Sequence, residues 1–98
     1  MTINEYLKQH EGKGVAPRVV CNDGFNVSIQ ANYAAYCQPR RNEGPWYMVE
    51  LGFPSEEPSP AIMKYAETPD SPTQTVYGYV PIETVDAFLN EHGGIKTS

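Results

Sequence analysis

The triplet Asn22-Asp23-Gly24 constrains the fold of this chain more than any other feature. Asp-Gly and Asn-x-Gly steps form tight turns, because glycine takes positive φ without steric cost. Arg18, Val19, Val20 and Cys21 lead into the turn. Phe25, Val27 and Ile29 then alternate with Asn26, Ser28 and Gln30. A period of two marks a strand with one wet and one buried face. The pattern predicts a β-hairpin that buries Phe25, Val27 and Ile29.

Two helices frame the chain. Thr2 and Glu5 have capping-box spacing, and Ile3, Tyr6, Leu7 and His10 share a helical face that Gly12 and Gly14 close. Near the other end Pro81 opens a helix and Glu83 suits its positive pole. Ile82, Val85, Phe88 and Leu89 form its apolar stripe, and Gly93-Gly94 stops it. Both helices end in His followed by Gly, which is convergence on one helix stop rather than duplication. Between them, Trp46, Met48 and Glu50 alternate with Tyr47, Val49 and Leu51, a third strand stopped by Gly52 and Pro54. Residues 75–80 are β-branched and aromatic, hence another strand. Residues 62–65 fit a short edge strand. The loops at 55–60 and 68–73 carry prolines that remove ladder donors.

These elements predict one α+β domain over residues 1–98. Its sheet is twisted and mainly antiparallel, with three to five strands, and the N- and C-terminal helices pack on it. A length of 98 residues suits a single core. No apolar run approaches the roughly 18 residues of a membrane span, and the first residues lack a signal peptide's regions. The chain reads as cytoplasmic. Cys21 and Cys37, too few for a disulfide framework, are expected as free thiols.

Net charge is −5, unevenly placed. Before Glu50 there are five basic and four acidic residues; from Glu50 onward there are eight acidic residues against Lys64 and Lys96. An acidic half argues against duplex nucleic acid, which needs a basic surface. It suits a basic protein partner or simple solubility.

No phosphate loop, dinucleotide fingerprint, zinc spacing or nucleophile elbow is present. Glu56, Glu57 and Asp70 lack calcium-loop spacing. His10 and His92 are helix-end residues, and Cys37 has no base beside it in sequence. Neither a catalytic residue, a metal site nor a cofactor is expected.

Seven of the residues are tyrosine, and the densest aromatic stretch interleaves rings with guanidinium groups: Tyr33, Tyr36, Arg40, Arg41, Trp46 and Tyr47. Tyrosine joins an apolar ring to a polar tip, and with Arg it is enriched at interfaces. These six residues are the candidate binding site. Trp46 also fits the core of the third strand. Rings and guanidinium groups can grip a protein, or stack on a base and hold its phosphate.

Several words carry a resemblance: Val20-Cys21-Asn22-Asp23-Gly24-Phe25, Ser28-Ile29-Gln30-Ala31, Tyr36-Cys37 with Pro39-Arg40, Gly52-Phe53-Pro54-Ser55, and Thr75-Val76-Tyr77-Gly78-Tyr79-Val80-Pro81 with His92-Gly93-Gly94. Over most of its length the chain resembles small uncharacterised proteins of phages and mobile elements in Gram-positive gut bacteria. The resemblance implies an accessory protein inside a bacterial cell and brings no functional residues with it. Small phage accessory proteins often bind and inhibit host machinery, including defence systems. Three readings follow. The first is a non-enzymatic protein that binds and inhibits a bacterial host protein. The second is a nucleotide- or small-molecule-sequestering protein, and the third a small enzyme with a scattered site. A homodimer is compatible with each.

Overall fold

The computed structural model describes residues 1–97. Four strands, β1 (Val19–Val20), β2 (Asn26–Gln30), β3 (Met48–Gly52) and β4 (Val76–Pro81), form an antiparallel sheet in the order β1-β2-β3-β4. Three helices, α1 (Ile3–Lys8), α2 (Pro60–Met63) and α3 (Ile82–Glu91), complete an α+β fold. Among the described residues no helix is long and apolar enough to cross a membrane.

The hairpin forms as its turn chemistry dictates. Gly24 has φ +95°, and the Asp23 carboxylate accepts the Phe25 amide at 2.9 Å. Phe25, Val27 and Ile29 are buried while Asn26, Ser28 and Gln30 are half-exposed, so the register follows the alternation. Val49, Leu51, Tyr77 and Val80 extend the buried face across β3 and β4, and Val85, Phe88 and Leu89 of α3 meet it. Each such aliphatic or aromatic side chain contributes roughly 1.5–3 kcal/mol.

α1 has the expected capping box: Thr2 Oγ1 accepts the Glu5 amide at 3.2 Å, and Glu5 Oε1 accepts the Thr2 amide at 2.7 Å. It is shorter than its apolar face suggests and gives way to turns before Gly12. The Asp86 carboxylate of α3 accepts the Ile3 amide at 2.8 Å, which ties the two terminal helices together. Beyond α3, Gly93 and Gly94 have φ +85° and +83°, and the Gly94 amide returns to the Leu89 carbonyl at 2.9 Å. The chain then lies along β1, where Lys96 donates to the Val20 carbonyl at 2.8 Å and Ile95 bridges Cys21.

Residues 62–65 are not an edge strand. Ser59 and Pro60 start α2, and Pro60 sits where its missing amide costs nothing, so Ile62 is buried from a helix. The outer edge of β4 is met instead by Ala66, which bridges Tyr77, and by the Glu67 amide bonded to the Val76 carbonyl. β3 begins at Met48 rather than Trp46 and retains Gly52, and Pro81 ends β4 before α3 starts at Ile82.

Candidate functional site

Residues 31–47 leave β2, cross part of the sheet's outer face and return to β3. Their backbone is pinned at several points. Asn32 accepts the Ala34 amide at 2.8 Å, and Asn42 accepts the Tyr33 amide at 3.1 Å. Gln38 exchanges two backbone bonds with Met48, extending the sheet beside β3. Asn4 of α1 grips both sides of Trp46: its Nδ2 donates to the Trp46 carbonyl and its Oδ1 accepts the Trp46 amide, each at 3.0 Å. The Glu11 carboxylate accepts the Gly44 amide at 3.0 Å. These bonds fix the loop's backbone at several points.

The structure divides the six candidate residues. Tyr33, Tyr36 and Tyr47 are 70%, 45% and 72% exposed, and Arg40 and Arg41 are also exposed. Neither guanidinium has a hydrogen-bond or ion-pair partner among the described residues. Trp46 belongs to the core instead, only 3% exposed, with its indole N–H donating to the Arg41 carbonyl at 3.2 Å. Its ring lies so close to Gly44 that a Cβ there would stand 2.7 Å from Cε3. Burial of so large a ring outweighs any gain from displaying it.

Tyr79 joins this surface without having been singled out in the sequence. Between the pairs Val49–Val80 and Leu51–Tyr77, Gly78 and Tyr79 together face Glu50, a β-bulge. Tyr79 has φ +54°, a left-handed conformation costing about 1 kcal/mol or more for a bulky residue. The Tyr79 amide donates to the Tyr36 carbonyl at 2.9 Å, and the two rings lie 5.9 Å apart at 35°. Tyr36 packs on Gly78, where a Cβ would stand 3.2 Å from the Tyr36 Cβ. Glycine inside a strand was the available signal for a bulge.

Glu50 lies beneath Tyr36. Burial, with the Glu67 charge adding to it, raises its carboxyl above the usual range, while a hydrogen bond from the Tyr36 backbone partly opposes the shift. Burial likewise raises both thiols, Cys21 to about 11, and both cysteines are free. The Cys37 Sγ lies 3.2 Å from the Asn32 carbonyl within the loop. Such thiols are small buried hydrophobes, the reverse of an activated nucleophile.

The histidines are engaged separately. His10 packs on the Tyr6 ring at 4.8 Å. His92 Nδ1 lies 2.7 Å from Asp23 Oδ2, and its ring stacks on Phe25 at 4.1 Å, so this pair fastens the hairpin turn to the end of α3. Among the described residues no group of three or more His, Cys, Asp and Glu side chains is arranged to hold a metal ion.

No protein-family model, curated protein or solved structure matches the chain.

Proposed function

We propose that this protein is a non-enzymatic binding module that engages and blocks a bacterial host protein through Tyr33, Tyr36, Tyr47, Tyr79, Arg40 and Arg41. One observation carries the reading: Tyr33, Tyr36 and Tyr47 are exposed on a loop whose backbone is pinned by hydrogen bonds, and the Arg40 and Arg41 side chains of the same loop have no hydrogen-bond or ion-pair partner among the described residues. A backbone fixed beforehand has less freedom to lose on binding, and Tyr and Arg are enriched among interface hot spots. The bacterial, phage-associated setting comes from the sequence resemblance, and inhibition from the habits of small phage accessory proteins.

Nucleotide sequestration is the weaker reading. The free guanidinium groups suit a phosphate, but Trp46, the largest stacking ring, is packed in the core. Calorimetric titration with nucleoside triphosphates separates the two readings, since heat lost in Arg40→Ala and Arg41→Ala would favour the nucleotide.

Capture from bacterial lysate tests the leading reading, with immobilised wild type compared against the Tyr36→Ala/Arg41→Ala double variant. The expected outcome is a host protein retained by the wild type and lost from the variant. Identical captured sets from both would contradict it.

A further inference from the structure

Between α2 and α3 lies a groove of about 310 Å³. Ala61 of α2, with Ala87 and Phe88 of α3, makes its wall mostly apolar. The only charged residues in the lining are Glu83 and Glu91, both exposed. Neither carboxylate has a hydrogen-bond or ion-pair partner among the described residues. No lining residue carries a side-chain nitrogen. The groove therefore offers carbon and anionic acceptors, and any cation that neutralises them has to come from an occupant.

A second observation lies in the same lining. Ser59 borders the groove, and its hydroxyl is the one buried side-chain polar atom without a hydrogen-bond partner among the described residues. It does not cap α2: the Ile62 and Met63 amides donate instead to the Ser59 carbonyl, each at 3.0 Å. Buried hydroxyls are ordinarily paired, so an arriving N–H donor would complete one left open. The chain supplies little cation of its own here. From Glu50 onward only Lys64 and Lys96 stand against eight acidic residues, and Lys64 lies over the Tyr65 ring.

We propose that this groove docks a basic polypeptide segment of a partner protein. The aliphatic stem of a Lys or Arg side chain lies against Ala61, Ala87 and Phe88, as such stems do on apolar surface. The cationic ends meet Glu83 and Glu91, and an N–H is offered to the Ser59 hydroxyl. Glu83 and Glu91 stand about 12 Å apart along the axis of α3. Two basic residues four apart on an extended segment cover about the same span, which favours a polypeptide over a single amine. None of these residues belongs to the tyrosine–arginine surface, so the inference stands apart from the host-protein reading.

A displayed library of random linear peptides, selected on the full-length protein, supplies the probe. Enriched peptides should carry at least two Lys or Arg residues. Their affinity should fall about fivefold or more in Glu83→Gln/Glu91→Gln and in Ala87→Arg, exposed positions at which the variants should fold. Ser59→Ala should weaken them as well, with a thermal midpoint at or above that of the wild type, since the free protein loses no hydrogen bond. Glu43→Gln/Asp70→Asn removes the same charge outside the groove and should leave the affinity near that of the wild type. Full affinity in any of the three groove variants would overturn the inference, as would enriched peptides without basic residues or no enrichment at all. An equal loss in Glu43→Gln/Asp70→Asn would reduce it to attraction by the net charge. Displacement of the peptides by an equal concentration of free arginine would overturn the polypeptide occupant. Peptides weakened only by Tyr36→Ala and Arg41→Ala would overturn the groove and leave the surface reading standing.

Discussion

Gly44→Ala tests how the loop over residues 31–47 is anchored. A Cβ at Gly44 would stand 2.7 Å from Cε3 and 2.8 Å from Cζ3 of Trp46, where carbon pairs settle at about 3.5–4.0 Å. The ring has little freedom to retreat. Its indole N–H is bonded to the Arg41 carbonyl and its backbone is gripped on both sides by Asn4. Overpacking of this kind costs about 1–3 kcal/mol. In a domain of this size each kcal/mol moves the thermal midpoint by about 4–8 °C, so a fall of about 4–24 °C is expected. Trp46 is the single tryptophan, so its fluorescence reports the displacement directly, as a red shift in the folded variant. Unchanged emission with a midpoint shift below about 1 °C would refute the packing of Trp46 on Gly44 and the anchoring argument built on it.

Three further outcomes follow from burial. Val85→Asp and Phe88→Asp each place an unpartnered carboxyl in the core, so urea denaturation should show a loss of about 3 kcal/mol or more; little change would make α3 peripheral. Glu50→Gln should stabilise the protein at neutral pH. Because the folded carboxyl of Glu50 is raised above its ordinary 4.5, its penalty is present above the folded pKa and disappears as pH falls through it. The gain should therefore vanish in acid, and a gain independent of pH would count against this cause. Cys21 and Cys37 should resist alkylation in the folded protein and react once it is unfolded, because burial raises both thiols. Rapid labelling of either under native conditions, read by mass spectrometry, would contradict their placement.

Local chemistry made much of the fold legible. Asn22-Asp23-Gly24 announces its turn, Phe25, Val27 and Ile29 announce their face, and Thr2 with Glu5 announces a helix start; none of these depends on distant residues. What depended on distant residues was not legible. Residues 62–65 have strand-like composition, yet Pro60 and the space left for Ile62 beside α3 and β4 make that segment a helix. Trp46 sits among exposed tyrosines in sequence, and its burial rests on partners outside its own segment, among them Asn4 of α1, whose side chain grips the Trp46 backbone. Tyr79 reads as an ordinary strand residue until the bulge against Glu50 turns it outward beside Tyr36. The exposed Tyr33, Tyr36, Tyr47, Arg40 and Arg41 were visible as a composition, because large polar-tipped and charged side chains rarely bury.

The most direct test of the central claim is the affinity of the captured partner for wild type, Tyr36→Ala and Arg41→Ala, measured beside their thermal midpoints. Each substitution should weaken binding by at least about 1 kcal/mol, roughly fivefold, while the midpoint stays near that of the wild type. Folded variants that bind the partner as tightly as the wild type would contradict the account, and the binding surface would have to lie elsewhere on the molecule.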